Sequence, residues 1–383
     1  MKMKNLIMFG IRELENRSKW VQLYINQVLN QEYMAFDEMY EVSIQSQDDD
    51  IQNILQKVSA VEKVADGVVI TVTHDFYDLF VRLLQSIKWN KEVYLVPEYL
   101  VGLPVEQIKA QEFLMPVDAG KPCLRYFEFH LCDHCNLKCK GCSHLSNVCD
   151  EKFADKEQYL RDLEQIKRLY WGMQAIKLLG GEPLLNKELP EYMYETRKRF
   201  PEVFFYIATN GLLLPKMPEE FFEAARKTHA IVMLSAYQPT LKMKDEIEGK
   251  LRQENIQYFY TPEVKEFQKM RYTQSKCIDR ETAHQRCRAD MPEPCVTLRE
   301  GKLYQCGLPY LEFMNDKFGT EFKLEKGDWV DLYEETSGWE ANKRLYEPIP
   351  FCEYCGVQPE SFVWEPMAGK EAALEDYLNR SAV

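Results

Sequence analysis

Apolar and polar positions along the chain follow two rhythms, and changes of rhythm divide it into three parts. Up to about residue 115 the pattern predicts short strands separated by helices. Lys4–Phe9 reads as a buried strand, and a helix follows with Trp20, Leu23, Tyr24 and Val28 apolar. After the acidic run Asp48–Asp50 comes a helix through Ile54–Val64, then a β-branched strand at Val68–Val72. A helix at Phe76–Ile87 and a strand at Val93–Val96 complete a small parallel α/β unit, residues 1–115. The boundary is placed near residue 115 because Gly102–Lys121 carries Gly and Pro and little periodicity.

From residue 116 to about 270 the alternation becomes regular. Strands are predicted at Leu124–Leu131, Ile176–Leu179, Val203–Ala208, Ile231–Ser235 and Ile256–Tyr260. Between them lie helices at Asp155–Tyr170, Lys187–Phe200, Pro218–Thr228 and Met243–Glu254. The first is capped by Asp155 and carries Leu160, Leu163, Ile166 and Leu169 on one face. Repeated β–α units of this length build a barrel or an open parallel sheet, whose sites lie at the C-terminal strand ends. Beyond about residue 265 the rhythm stops. Residues 271–383 read as a third, cysteine-rich unit, with a hairpin turning at Glu300–Gly301. The chain shows no internal repeat and no low-complexity segment.

Composition narrows the function classes. With 48 Lys plus Arg against 61 Asp plus Glu, the net charge is −13, which argues against nucleic acid or an anionic membrane as the main partner. No stretch approaches 18 uncharged apolar residues, and Met1–Gly10 has no cleavable signal pattern, so a soluble, cytoplasmic protein is expected. "FGIRE" at Phe9–Glu13 begins like a dinucleotide fingerprint, but the later glycines are missing, and an accessory docking domain is the preferred reading.

Twelve cysteines in a reducing compartment point to metal rather than to disulfides, because most of them sit in close groups. Cys135, Cys139 and Cys142 follow the first barrel strand, with three and then two residues between them. Three thiolates are one short of a closed zinc site or a fully ligated cubane, so one iron of a four-iron cluster would stay open. Cys132, His134 or His144 as a fourth ligand would make the site zinc instead. Polar and glycine motifs stand at the next strand ends. They are "LLGGEPLL" around Gly180, Gly181, Glu182 and Pro183, "ATNG" at Thr209–Gly211, and "LSAY" at Ser235–Tyr237. The glycines allow close approach to the backbone, and Pro183 suits the first turn of a helix.

The triad together with "GGEP" resembles the radical S-adenosylmethionine (SAM) superfamily over about residues 124–260. The resemblance implies a partial (β/α)6 barrel holding a 4Fe-4S cluster, whose open iron takes the amino and carboxylate groups of the methionine moiety of SAM. It implies that Gly180, Gly181, Glu182 and Pro183 meet the methionine amino group, and that Asn210 and Ser235 approach the ribose or carboxylate. Many members have an aromatic residue just before the third cysteine. Here that position is Gly141, which passes adenine packing to a residue such as Leu145. The implied chemistry is reductive cleavage of SAM to a 5′-deoxyadenosyl radical that takes a hydrogen atom from substrate, with flavodoxin or ferredoxin as electron donor. Glu128, His130 and Tyr237 are candidates for the accompanying base.

The C-terminal cysteines resemble the twitch half-domain, the shortened relative of SPASM, which implies one auxiliary 4Fe-4S cluster. Cys306, Cys352 and Cys355 are the expected ligands, with Cys287 or Cys295 as the fourth. Thirteen residues separate Cys287 from Gly301, whereas Cys295 sits across the hairpin from Cys306. A four-cysteine zinc knuckle is the alternative. Cys123, Cys132, Cys149 and Cys277 read as ordinary buried thiols. By resemblance the substrate is a saccharide or other small molecule, dehydrogenated or epimerised. A ribosomal-peptide maturase and a non-enzymatic zinc or iron–sulfur scaffold are the other classes. Leader-binding modules of such maturases are winged helices, which the α/β rhythm of residues 1–115 fits poorly.

Overall fold

The computed structural model describes residues 6–11, 39–44, 66–70, 89–100, 115–291, 294–367 and 369–379. The chain divides into two compact units. One comprises Met1–Arg125, Lys167–Gln174 and Phe200–Phe204, and the other Tyr126–Ile166, Ala175–Arg199 and Phe205–Val383. Residues beyond 271 share the second unit with the barrel strands.

In the first unit, strands β1 (Leu6–Ile11), β2 (Met39–Ile44), β3 (Gly67–Ile70), β4 (Glu92–Leu95) and β5 (Met115–Pro116) form one sheet in the order β2-β1-β3-β4-β5. The pairings β1–β2, β1–β3 and β3–β4 are parallel, and β4–β5 is antiparallel. The three predicted strands are present. Strand β2 was not foreseen, although Tyr40, Val42 and Ile44 alternate with Glu41 and Ser43 at the period of a strand. Gly10 lies within β1, paired with Ser43, so the chain runs straight where a phosphate-binding turn would begin. The helices expected at Trp20–Val28, Ile54–Val64 and Phe76–Ile87 fall outside the described residues, as do Asp48–Asp50, Arg12 and Glu13.

The larger sheet is built from β6 (Cys123–His130), β7 (Gly172–Leu179), β8 (Phe204–Thr209), β9 (Ile231–Leu234) and β10 (Tyr258–Tyr260), which are neighbours in chain order. Two later strands, β11 (Glu266–Gln268) and β15 (Ser361–Val363), pair antiparallel outside it. The helices between the barrel strands are α1 (Lys156–Leu169), α2 (Leu189–Arg199), α3 (Glu219–Lys227), the short α4 (Gln238–Lys242) and α5 (Lys244–Gln253). Helix α1 begins as its sequence demands, with the Asp155 carboxylate accepting from the Gln158 amide at 3.0 Å. Tyr159, rather than Leu160, joins Leu163, Ile166 and Leu169 in the buried face.

The other edge of this sheet is taken by the C-terminal part of the chain. Strands β12 (Thr297–Arg299), β13 (Lys302–Tyr304) and β14 (Trp329–Asp331) continue the order beyond β6. β12 runs parallel to β6, with Thr297 opposite Glu128, and antiparallel to β13. Glu300 and Gly301 both have positive φ, 49° and 77°, the two-residue turn whose twist matches a hairpin. Helices α6 (Arg280–Asp290), α7 (Leu311–Phe318) and α8 (Gly338–Tyr346) accompany this region. A second hydrophobic core forms there around Leu308, Tyr310, Met314, Phe322, Phe351 and Tyr377. Among the described residues no helix is long and apolar enough to cross a membrane.

Candidate active site

The loop that follows β6 carries the three clustered cysteines, and its path depends on left-handed residues. Lys138, Gly141 and Leu145 have φ of 47°, 60° and 57°. The glycine pair after β7 fits tightly under this loop. A Cβ on Gly180 would run into the Cys132 carbonyl, and one on Gly181 into the His134 carbonyl. Removing both side chains lets Gly181 donate its amide to Cys132 O at 2.8 Å and Glu182 donate to His134 O at 3.1 Å. The close approach expected of these glycines is therefore made to the chain's own backbone.

Cys135, Cys139 and Cys142 line one cavity of about 170 Å³, together with Gly180, Gly181, Asn210, Ser235, Tyr237 and Glu128. Nine residues singled out from the sequence thus meet at the C-terminal ends of consecutive strands. Burial pushes the Cys135 thiol up to about 11 and the Cys139 thiol up to about 12, and the neighbouring thiols add to it. The thiols hold their protons until a metal displaces them. Asn210 places its amide nitrogen 2.8 Å from Asn136 Oδ1 and 3.8 Å from Cys135 Sγ, and so supports the loop as well as the cavity wall.

Glu182 and Pro183 also build the end of the strand, and Pro183 takes the first turn as expected. The Glu182 side chain is fully buried, and its oxygens accept from Thr209 Oγ1 at 2.6 Å and from the amides of Asn210 (2.9 Å) and Leu184 (3.1 Å). It caps the short 3-10 turn Pro183–Leu185 and ties the end of β7 to the end of β8. Burial raises its carboxyl to about 7, against the pull of those three donors. Pro183 is buried at the start of that turn.

The base candidates separate as well. Glu128 faces the cavity, with Tyr126 Oη donating to it at 2.9 Å and Lys177 Nζ and His144 Nε2 each 3.7 Å away. Burial opposes its ionisation, but His144 and Lys177 outweigh burial and hold the carboxyl at about 2. It is a hydrogen-bond acceptor and a poor base. His130 lines a different cavity, of about 110 Å³, with Asp133, Arg299 and Tyr310. Its ring stacks on Tyr310 at 4.1 Å, and burial brings its pKa down to about 4. Tyr237 lines the first cavity, but burial pushes its phenol well above the ordinary value, so it offers a donor. His144, expected there only as a possible zinc ligand, lines the cavity, and Lys177 was missed. The signal was there for Lys177, a cation inside the apolar strand "AIKLL".

Gly141 also has a reason in the structure. A Cβ there would lie 2.5 Å from the Phe362 ring and 2.6 Å from Asp376 O, so the C-terminal segment fills the place an aromatic side chain would take. Leu145 does not stand in for it, because it is buried in the second core.

The second group of thiols bears on the choice of fourth ligand. Cys306 faces Cys355, Cys352 and Cys287, and all four are partly buried. Cys295 has Glu128 and Lys177 as its nearer charged neighbours, with Cys287 beyond them, because the chain entering β12 runs alongside β6. Cys123 and Cys132 are buried thiols, Cys149 is half-buried, and Cys277 is exposed, contrary to expectation. Among the described residues no three His, Cys, Asp or Glu side chains converge as closely as one metal ion requires. The sulfurs around a four-iron cluster stand further apart than those around a single zinc ion.

The family model described as the radical SAM superfamily matches residues 130–256. Residues 130–256 are a radical SAM domain. Such domains bind a 4Fe-4S cluster and SAM, and the three thiols on one cavity wall are the donor set that cluster takes. The chain is 32% identical over 114 residues to GTP 3′,8-cyclase of Helicobacter pylori strain HPAG1, covering 29% of this chain and 35% of that protein. It is 32% identical over 108 residues to the enzyme of that name from Clostridium acetobutylicum, covering 27% and 32%. The chain thus spans about a third of the length of the curated relatives it matches. Among solved structures, BtrN in complex with AdoMet and 2-DOIA is 14% identical, covers 67% of this chain and 99% of its own, and has a TM-score of 0.38. Streptococcus suis SuiB bound to S-adenosylmethionine is 15% identical, covers 54% and 46%, and has a TM-score of 0.31.

Proposed function

We propose that this chain is a radical SAM enzyme that takes a hydrogen atom from a small, polar, carbohydrate-like molecule, leading to its dehydrogenation or epimerisation. Cys135, Cys139 and Cys142 would hold the cluster, and Gly180, Gly181, Asn210 and Ser235 would form the wall against SAM. With SAM bound, this group supplies the 5′-deoxyadenosyl radical. Every other requirement falls on the chain. One observation carries the substrate reading: Glu128 and Lys177 sit as a pair, 3.7 Å apart, in the same cavity as the three thiols. Lys177 offers ammonium hydrogens and Glu128 accepts, a combination that reads hydroxyl and amino groups on neighbouring carbons. A nucleoside triphosphate asks for several cations, and Lys177 is the one Lys or Arg lining this cavity among the described residues. The substrate of the cyclase relatives is therefore not carried over.

His144, oriented by Glu128, is the imidazole placed to take up a proton released in an oxidation. Glu182 positions the strand ends through Thr209 and Asn210. Cys287, Cys306, Cys352 and Cys355 would hold one auxiliary 4Fe-4S cluster of the twitch kind. Flavodoxin or ferredoxin would supply the electron for SAM cleavage. The mainly parallel sheet of the first unit favours this reading over a peptide maturase with a winged-helix leader module.

The test incubates the reconstituted protein with SAM and reductant in the presence of aminocyclitols, sugars or short cysteine-containing peptides. A saccharide-class compound should raise 5′-deoxyadenosine above the uncoupled level, and deuterium on its carbons should pass into that product. Transfer from the peptides alone would overturn the substrate class.

A further inference from the structure

The C-terminal segment lies along the loop that carries the three thiols. Cys139 forms an antiparallel bridge with Pro366, Lys140 N donates to Glu365 O at 3.0 Å, and Met367 N donates to Lys138 O at 2.8 Å. Lys140 Nζ pairs with Glu365 at 3.2 Å and with Asp376 at 3.6 Å. The strap begins at β15, whose partner β11 lies nearly a hundred residues earlier, and Trp364 N is held by Lys265 O at 2.9 Å. At its centre Trp364 is 8% exposed and stacks on Tyr237, with ring centres 5.1 Å apart and planes at 24°.

The indole nitrogen is the unexplained part. Trp364 Nε1 is buried and makes no hydrogen bond of ordinary geometry. A buried donor left without a partner costs stability, so one is rarely kept without a task. The strap brings the indole to the triad: Pro366, two residues on, bridges Cys139, and Tyr237, on which the ring stacks, lines the cavity that holds all three thiols. A thiol is a weak acceptor and a cluster-bound thiolate a strong one, so the orphaned N–H fits the loaded site better than the empty one.

We propose that Trp364 raises the reduction potential of the triad cluster by donating its indole N–H to the sulfur of Cys139. This rests on the triad being the cluster site. The added electron places negative charge on the cluster and its sulfurs, so a fixed donor stabilises the reduced form more than the oxidised form. Packing accounts for the ring, and the strap's backbone bonds hold the loop, but neither needs a nitrogen.

The test is a redox titration of the full-length reconstituted protein, followed by electron paramagnetic resonance on the signal that changes when SAM is added. That response identifies the triad cluster, because only it has an open iron. Trp364→Phe keeps the ring against Tyr237 and removes the N–H. It should bind wild-type amounts of iron, yet at the wild-type midpoint its ratio of reduced to oxidised cluster should fall three- to tenfold, tenfold being about 59 mV for one electron. An unchanged midpoint in Trp364→Phe, with iron lost only in Trp364→Ala, would show a purely structural strap and overturn the proposal. Should Trp364→Phe fail to load, wild-type protein grown with heavy-nitrogen indole decides. A hyperfine coupling to that nitrogen in the SAM-responsive signal supports the bond, and its absence refutes it. A wild type without any SAM-responsive signal would overturn the cluster assignment itself, and this proposal with it.

Discussion

Replacing Glu182 by Ala distinguishes a residue that binds the cofactor from one that builds the site. The side chain accepts from the buried amides of Asn210 and Leu184 and from the Thr209 hydroxyl. Ala leaves both amides without a partner, and each orphaned buried donor costs about 1–3 kcal/mol, so the loss should be roughly 2–6 kcal/mol. The cost should also depend on pH. Burial raises the folded-state carboxyl to about 7, above its unfolded value, so its stabilisation is complete below the ordinary carboxylate range and is lost as pH rises toward 7. A tenfold change in proton affinity is worth about 1.36 kcal/mol, so the pH-linked part is on the order of 3 kcal/mol. Urea unfolding of the metal-free protein at about pH 5 and pH 8 reads both effects, with the larger difference between Glu182→Ala and wild type at pH 5. Direct contact with the methionine amino group would give the opposite pattern. The unfolding midpoint would be unchanged and the SAM affinity would fall about ten- to hundredfold, as for loss of one charge-assisted hydrogen bond. That result would refute the positioning role.

Three further substitutions test separate parts of the account. Cys287→Ser should reduce iron from about eight to about four atoms per chain, while Cys295→Ser should leave it unchanged, because Cys306 faces Cys287 and Cys295 lies beside Glu128. Lys177→Met should lower substrate kcat/KM about ten- to hundredfold while leaving uncoupled 5′-deoxyadenosine formation in place, since a charged donor in the cavity is lost and the triad is not touched. Asp133 is held at about 2, where burial is outweighed by His130 and by Arg299 at 2.9 Å. Its stabilisation is present above its unfolded pKa near 4 and is lost as pH falls toward 2, so Asp133→Asn should flatten the acid limb of the stability profile. An acid limb as steep as that of the wild type would assign it to other groups.

The barrel strands and helices were legible because each carries the period of its element, and their ends were marked by caps such as Asp155. The hairpin at Glu300–Gly301 was legible for a similar reason, since local turn chemistry fixes it. The site was legible as far as spacing defines it: the thiols and the strand-end polar residues share one cavity. Long-range pairing was not. Nothing local in "PCVTLRE" says that β12 will lie against β6 and carry Cys295 toward Glu128 instead of Cys306. The protein partners of Glu182 were hidden for a related reason. A carboxylate at a strand end has the right chemistry for an ammonium ligand, but the three donors that occupy it come from Leu184 and from the end of the next strand. His130 follows the alternation of its strand, yet Tyr310, 180 positions later, closes it off into a second cavity. The glycine at 141 has a long-range cause as well, since the Phe362 ring lies where its side chain would be.

The central claim is that Cys135, Cys139 and Cys142 hold the cluster that cleaves SAM. Its most direct test is 5′-deoxyadenosine formation by the anaerobically reconstituted, dithionite-reduced protein, compared with the variant in which all three cysteines are Ala. The wild type should form 5′-deoxyadenosine. The variant should form none, while keeping about four irons at Cys287, Cys306, Cys352 and Cys355. Undiminished 5′-deoxyadenosine from the triple variant, or stoichiometric zinc with no iron in the wild type, would contradict it.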